Sequence, residues 1–221
     1  MSTSSSSIRI LCIDDHRLVR EGISLIINRQ PDMQVVASGA SGEEAAELHR
    51  RHQPDVTLMD LQLGAMSGVD AIRAIRQNTP RARIVVLTMY QGDEDIYQAL
   101  NAGATTYLLK DTLSADLIRV VREVHAGEYR LDPAVEARLA ERARKPSLTQ
   151  REIEVVELIA EGMRNKEIAS ALGISEETVQ VHVKHILAKL SVNDRSAAIT
   201  VALRRGIIHL ALLVALQFCS I

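Results

Sequence analysis

The stretch Ile8-Arg9-Ile10-Leu11-Cys12-Ile13-Asp14-Asp15 sets a short, mostly apolar and β-branched run directly against two adjacent carboxylates. Six residues are too few for a helix and suit a buried strand, so the chain leaves that strand on acidic side chains. Similar texture returns at Gln34–Ala37, Val56–Met59, Ile84–Leu87 and Thr105–Leu109. Between these runs lie helical stretches: Leu18–Asn28, Glu43–His52, Val69–Gln77, Glu94–Asn101 and Ala115–Ala126. Ser41 with Glu44 three residues on reads as a capping box, and Ser114 as the cap of the last of these helices. Five strand-then-helix repeats in order imply an α/β fold, an open parallel (βα)5 sheet with helices on both faces, over residues 8–127.

The alternation stops after Gly127. Residues 128–146 are charged, carry no strand and end in Arg144-Lys145-Pro146, which reads as a linker with room for a short helix. From Ser147 the texture is all helical. Thr149 with Glu152 forms a second capping box, opening a helix that Gly162 closes; Asn165–Leu172 is a short helix. Gly173-Ile174-Ser175 turns the chain into Glu176–Leu190, and a fourth helix runs from about Arg195 to Arg205 before Gly206. A short helix, a glycine-containing turn and a longer helix make a helix-turn-helix, here inside an all-α four-helix domain over 147–206.

At 221 residues, with 47% hydrophobic and 24% charged side chains, the chain has length and apolar content for two modest cores. Trp is absent and Phe occurs once, so aliphatic side chains fill them. Cys12 and Cys219 form no CxxC pair or metal spacing, which fits a reducing cytoplasm. Residues 1–7 are a polar, serine-rich lead that reads as a disordered tail rather than a signal peptide. Residues 207–221 are an apolar extension, short for a membrane span of ~20 residues, and read as a lengthened last helix at a dimer interface or as an altered reading frame. A net charge of −2 argues weakly against nucleic acid, but its distribution does not. Lys184, Lys189, Arg195, Arg204 and Arg205 against Asp194 give residues 178–206 a net +4, while residues 147–177 carry −4. A local basic face matters more for DNA than the total.

Open parallel sheets place their chemistry at the carboxyl ends of the strands. There the sequence puts Asp14 and Asp15 after the first strand and Asp60 at the end of the third. Thr88 ends the fourth, and Lys110 follows the fifth. Clustered carboxylates repel one another unless a hard divalent cation such as Mg²⁺ neutralises them. One of them could then attack a phosphoryl group, with Thr88 and Lys110 stabilising its oxygens.

The Asp14-Asp15, Asp60, Thr88 and Lys110 set resembles the receiver domain of two-component response regulators, CheY-like, over about Ile8 to Gly127. The resemblance implies Asp60 as phosphoacceptor, fed by a sensor histidine kinase, and Mg²⁺ held by Asp14, Asp15, Asp60 and the backbone carbonyl of Gln62. It also implies Tyr107 as the aromatic that turns inward when the hydroxyl residue moves. Two departures stand out: Gly64 where the family usually has Pro, and Asp111 where Pro usually follows the lysine. Gln62 and Tyr90 flank the site and could tune water access. Haloacid-dehalogenase-like phosphatases share such a set but need a second Asp two residues after the nucleophile. Position 62 is Gln, so the chain reads as no enzyme beyond slow self-hydrolysis.

In the third C-terminal helix Val179, Val183, Ile186 and Leu190 form one apolar stripe. The other face carries Gln180, Val181 and Lys184, with His185 to one side, a set suited to base edges in the major groove. Lys166 and Thr178, near helix N-termini, are placed for phosphates. Leu148–Glu152, Asn165–Ala169, Thr178-Val179 with His182 and Lys184, then Lys189-Leu190 and Arg195, resemble the LuxR-type helix-turn-helix. Receiver and helical domain together resemble the NarL/FixJ family. Many members have Lys where Gln180 stands, so the site sequence is not transferable. The resemblance implies DNA contacts that include Lys189 and Arg195, promoter DNA and RNA polymerase as partners, no membrane, and a phosphorylation-dependent homodimer. For that dimer, Ala198, Val201 and Ala202 offer a small apolar face on the last helix.

Overall fold

A computed structural model describes residues 7–89, 93–110, 113–129, 131 and 133–208. The readings that concern residues 1–6, Tyr90, Asp111 and 209–221, Cys219 among them, lie outside this set. The chain divides into two compact units, Met1–Gln91 with Ile96–Glu136, and Gly92–Asp95 with Ala137–Ile221.

The first unit is built on five strands: β1 (Ile8–Ile13), β2 (Met33–Gly39), β3 (Val56–Asp60), β4 (Ile84–Thr88) and β5 (Thr106–Leu109). They pair in the order β2-β1-β3-β4-β5, every ladder parallel. The intervening helices are α1 (Arg17–Asn28), α2 (Gly42–His52), α3 (Gly68–Asn78), α4 (Asp93–Ala102) and α5 (Leu113–Ala126). Strand side chains alternate between faces, and the two faces feed two cores. Ile10, Cys12, Leu58, Val85 and Leu87 pack with Ile23 and Ile27 of α1 and Leu117, Val121 and Val124 of α5. Leu11, Ile13, Met59 and Val86 pack with Ala45 of α2, Ile72 and Ile75 of α3 and Ala99 of α4. Both faces are covered, which is why these strands read as continuous apolar runs.

Cap chemistry departs from the expectation in two places. The Ser41 hydroxyl accepts from the Glu44 amide, but the Glu44 carboxylate reaches back to the Ala40 amide at 2.8 Å rather than to Ser41. Helix α5 begins at Leu113, so Ser114 lies inside its first turn rather than before it.

Helix α6 (Pro133–Ala143) occupies the stretch read as a linker. The helical domain then runs through α7 (Gln150–Ala160), α8 (Asn165–Leu172), α9 (Glu176–Leu190) and α10 (Arg195–Arg205). Thr149 and Glu152 complete a reciprocal capping box. Gly173, the C-cap of α8, takes the left-handed conformation that turns the chain into α9 at low cost. Val155, Val156, Ile159, Ile168, Val179, Ile186 and Leu190 form the core, with Val183 packed against it. Ile207 and Ile208, the first residues of the apolar extension, pack on the same core.

Candidate functional site

The strand order reverses beside β1, and the crevice at the carboxyl ends of β1 and β3 is where such a sheet leaves room for a ligand. Ile13 lies beside Met59 and Asp60 beside Leu87 in register. The ends of β1, β3 and β4 therefore reach the same rim, and Thr88 pairs with Leu109 of β5 there. Asp14 is 0% exposed and Asp60 4%. Lys110 spans them: its Nζ stands 2.7 Å from Asp60 Oδ2 and 2.7 Å from Asp14 Oδ2. The Lys110 amide also donates to the Thr88 carbonyl at 2.8 Å, which ties the lysine to the end of β4.

Burial pushes the Asp60 carboxyl above its ordinary value, with Asp14 adding to the rise, while the Lys110 ammonium opposes both. For Lys110, burial disfavours the charge, but hydrogen bonds and the charges of Asp14 and Asp60 outweigh it and hold the ammonium above its ordinary value. Cys12, directly beneath, is pushed up to about 12 by burial and by Asp14, so it is an inert packing residue rather than a nucleophile.

Donor atoms of Asp14, Asp15, His16 and Asp60 all lie within 4.8 Å of one another. Three carboxylates facing one ammonium leave an excess of negative charge, and the donors on Asp14, Asp15 and Asp60 are hard oxygens. That chemistry fits a divalent cation such as Mg²⁺. Of Gln62, the amide approaches Asp60 Oδ1 at 3.4 Å. Tyr107 is half-buried on β5 and packs against the α2–α4 side of the sheet.

Two further residues support the site, and the first of them, Arg20, escaped the sequence reading. Arg20 Nη1 donates to the Asp14 carbonyl at 2.5 Å, holding the β1 exit from the first turn of α1. Gly68 is the other: a Cβ there would meet the Asp60 carbonyl oxygen at 2.0 Å. The Gly68 amide donates to Leu61 O at 2.8 Å, so the loop after Asp60 closes tightly on the start of α3. Met66 and Gly68 match the receiver pattern in the sequence, but the close approach of Gly68 to Asp60 needed coordinates.

On the helical domain Gln180, Lys184 and His185 are exposed and Val181 is 51% exposed, all on the outward side of α9. Lys166 is exposed in the first turn of α8; Thr178 is exposed, and its amide donates to the Ser175 hydroxyl. Lys189 and Arg195 are engaged inside the domain. Lys189 Nζ lies 2.6 Å from Glu152 Oε2, and Arg195 donates to Asn165 Oδ1 and the Met163 carbonyl. The apolar face on α10 needs correction. Ala198 and Ala202 are 1% and 0% exposed within the helical core, so they are spent on packing against their own domain. Of that trio only Val201 is partly exposed.

The response regulator receiver domain family matches residues 10–122, and the family of bacterial regulatory proteins of the luxR type matches residues 146–202. Response regulator protein VraR of Staphylococcus epidermidis is 40% identical over 208 residues, covering 92% of this chain and 100% of the relative. The chain belongs to the two-component response regulators. VraR of Staphylococcus aureus matches to the same extent, again 40% identical over 208 residues. Among solved structures, the response regulator ChrA of a heme-sensing two-component system is 36% identical with a TM-score of 0.53, covering 92% of this chain and 100% of that one. A LuxR-family response regulator from Aurantimonas is 38% identical with a TM-score of 0.57, covering 62% and 99%. Salmonella typhimurium RcsB, 24% identical with a TM-score of 0.61, shares the fold. This response regulator is thus a transcription regulator with a receiver and a LuxR-type DNA-binding domain, not an enzyme. A receiver implies a sensor kinase as partner, and the luxR-type domain implies DNA. Among the described residues no helix is long and apolar enough to cross a membrane.

Proposed function

We propose that Asp60 is the phosphoacceptor of this regulator and that its phosphorylation by a sensor histidine kinase controls promoter binding by α9. The observation that carries the reading is the Lys110 ammonium, 2.7 Å from both Asp60 and Asp14 at the rim of the sheet. An Asp60 carboxylate oxygen attacks the phosphorus of a phosphohistidine. The P–N bond breaks, its electron pair leaves with the imidazole, and an acyl phosphate forms on Asp60. Lys110 and the Thr88 hydroxyl take up charge on the phosphoryl oxygens, and Tyr107 follows the Thr88 movement. Asp14, Asp15, Asp60 and the Gln62 carbonyl would hold Mg²⁺, which supplies charge neutralisation and phosphoryl orientation when bound.

The domains in this reading are a receiver over 8–127, a linker over 128–146 and the DNA-binding domain over 147–206. Gln180, Val181, Lys184 and His185 read bases, and Lys166 and Thr178 meet phosphates. Lys189 and Arg195 serve DNA indirectly, by fixing α9 and α10. Phosphorylated chains bind as homodimers in the cytoplasm, where RNA polymerase is the downstream partner; Val201 is the remaining α10 candidate for that contact. DNase footprinting before and after acetyl phosphate treatment tests the switch. Phosphorylation should strengthen protection of the regulated promoter, and Asp60→Asn should make the footprint indifferent to acetyl phosphate. A mutant footprint that still responds would overturn the assignment.

A further inference from the structure

Helix α9 carries one acidic side chain on its outward face. The inward stripe is Val179, Val183, Ile186 and Leu190, all packed in the helical core. At about 100° per residue, Glu177 stands on the opposite side, in the interval between Lys184 and Val181, and all three are exposed. Gln180 lies three residues on and Val181 four, the spacing at which side chains on a helix are neighbours. Glu176, also exposed, falls instead on the side shared with Val179 and Val183. Glu177 thus puts a negative charge on a face whose other members are Gln180, Val181, Lys184 and His185. Its carboxylate accepts from its own amide and from the Ser175 hydroxyl, which hold it below the ordinary carboxyl value. At neutral pH the group is therefore ionised, and it can only accept hydrogen bonds.

We propose that Glu177 is a specificity-determining residue that reads a cytosine in the major groove. This rests on the reading of α9 as the base-reading helix. A carboxylate on a DNA-facing surface is repelled by the phosphates, and it costs affinity on every sequence that offers it no donor. Among base edges in the major groove, only cytosine N4 and adenine N6 donate. Adenine sets the N7 acceptor beside N6, which suits the amide of Gln180 and repels a group that can only accept. Cytosine presents N4 without an acceptor on its own edge, and a carboxylate fits it. Gln180 and Glu177 therefore divide the two amino donors between them. Three residues of helix advance about 4.5 Å, so the cytosine lies within about two base pairs of the one that Gln180 reads. Phosphate repulsion acts on all sequences, and the bond to cytosine offsets it only on the right one, which widens the gap between specific and non-specific binding.

Selection of randomised duplexes by the full chain treated with acetyl phosphate, then competition against single-base variants of the selected site, tests the assignment. The wild-type chain should require a cytosine within about two base pairs of the position that Gln180→Ala relaxes. Glu177→Ala should weaken the preference for that cytosine at least about fivefold and leave the other positions as they were. Glu177→Gln, which adds an amide donor, should move the preference there from cytosine to adenine, a change that a residue serving only the start of α9 would not produce. A Glu177→Ala chain with every base preference intact overturns the proposal, as does one whose affinity falls uniformly on all duplexes. Gln180→Ala separates the two levels. If it relaxes one position while Glu177→Ala relaxes none, α9 reads bases and Glu177 does not. If neither variant alters any preference, the assignment of α9 as the base-reading helix is itself wrong.

Discussion

The rim of the receiver sheet and the outward face of α9 both present polar side chains for a partner, but under opposite physical conditions. At the rim, Asp14, Asp60 and Thr88 are buried and come from three strands, with Lys110 from beyond a fourth. On α9, Gln180, Lys184 and His185 come from one helix and stand in solvent. A buried charged set is coupled, because removing one member leaves its partners desolvated and unpaired. An exposed set on a single helix is nearly additive, because water replaces whatever is lost. Mutations at the rim should therefore disturb stability and chemistry together, whereas those on α9 should alter DNA choice alone.

The largest effect expected from that contrast is at Lys110. Lys110→Met leaves two buried carboxylates without their shared cation and should lower receiver stability by about 3–5 kcal/mol, read as a fall in the urea midpoint. A cost under about 1 kcal/mol would place the pair in the weak class typical of exposed salt bridges and break the contrast.

Glu152 sharpens it from the other side, since it is a buried carboxylate within the DNA-binding domain. Burial alone would raise its value, but hydrogen bonds from Lys189 and Thr149 hold it below the ordinary carboxyl range. Its stabilisation is therefore present above the ordinary glutamate value of 4.5 and drains away as pH falls through the lowered value. Asp60 runs the opposite way: its raised value means that the receiver gains stability as pH falls through it. Glu152→Gln should cost the helical domain about 1.5–3 kcal/mol at neutral pH, and that cost should shrink as pH falls below 4.5 and through the lowered value, measured by urea unfolding over a pH series that descends from 7 to below it. A cost that stays constant across the series would remove the ion pair from the account.

The smallest effect on stability belongs to Gln180. Gln180→Ala should leave unfolding within about 0.5 kcal/mol and, with Gln180 in the proposed base-reading role, cost about 1–3 kcal/mol of binding at one base pair. Competition binding against single-base variants of the footprinted site would show whether the loss is confined to one position.

The same contrast explains what could be read from the sequence. The sheet was legible because strands buried on both faces leave continuous apolar runs, and the runs of β1, β3, β4 and β5 end on or just before a polar residue that names its place at the rim. Asp14, Asp60, Thr88 and Lys110 could be grouped by topology alone. The helix-turn-helix was legible from caps and glycines: Thr149 with Glu152, Gly162, Gly173 and Gly206. What stayed hidden depends on which face a residue presents. Lys189 and Arg195 look like DNA cations in one dimension, yet Glu152 lies 37 residues from Lys189 and Asn165 lies 30 from Arg195. Ala198 and Ala202 look available for a partner because alanine carries no signal of burial, and only the packing of α10 places them in the core. Arg20 escaped because it binds a backbone carbonyl, which leaves no complementary side chain to find.

The most direct test of the central claim is intact-mass analysis after acetyl phosphate treatment in the presence of Mg²⁺. The wild-type chain should gain the mass of one phosphoryl group, in a linkage that hydroxylamine cleaves, and Asp60→Asn should gain none. An Asp60→Asn chain that takes up the phosphoryl group as readily as the wild type would contradict the account.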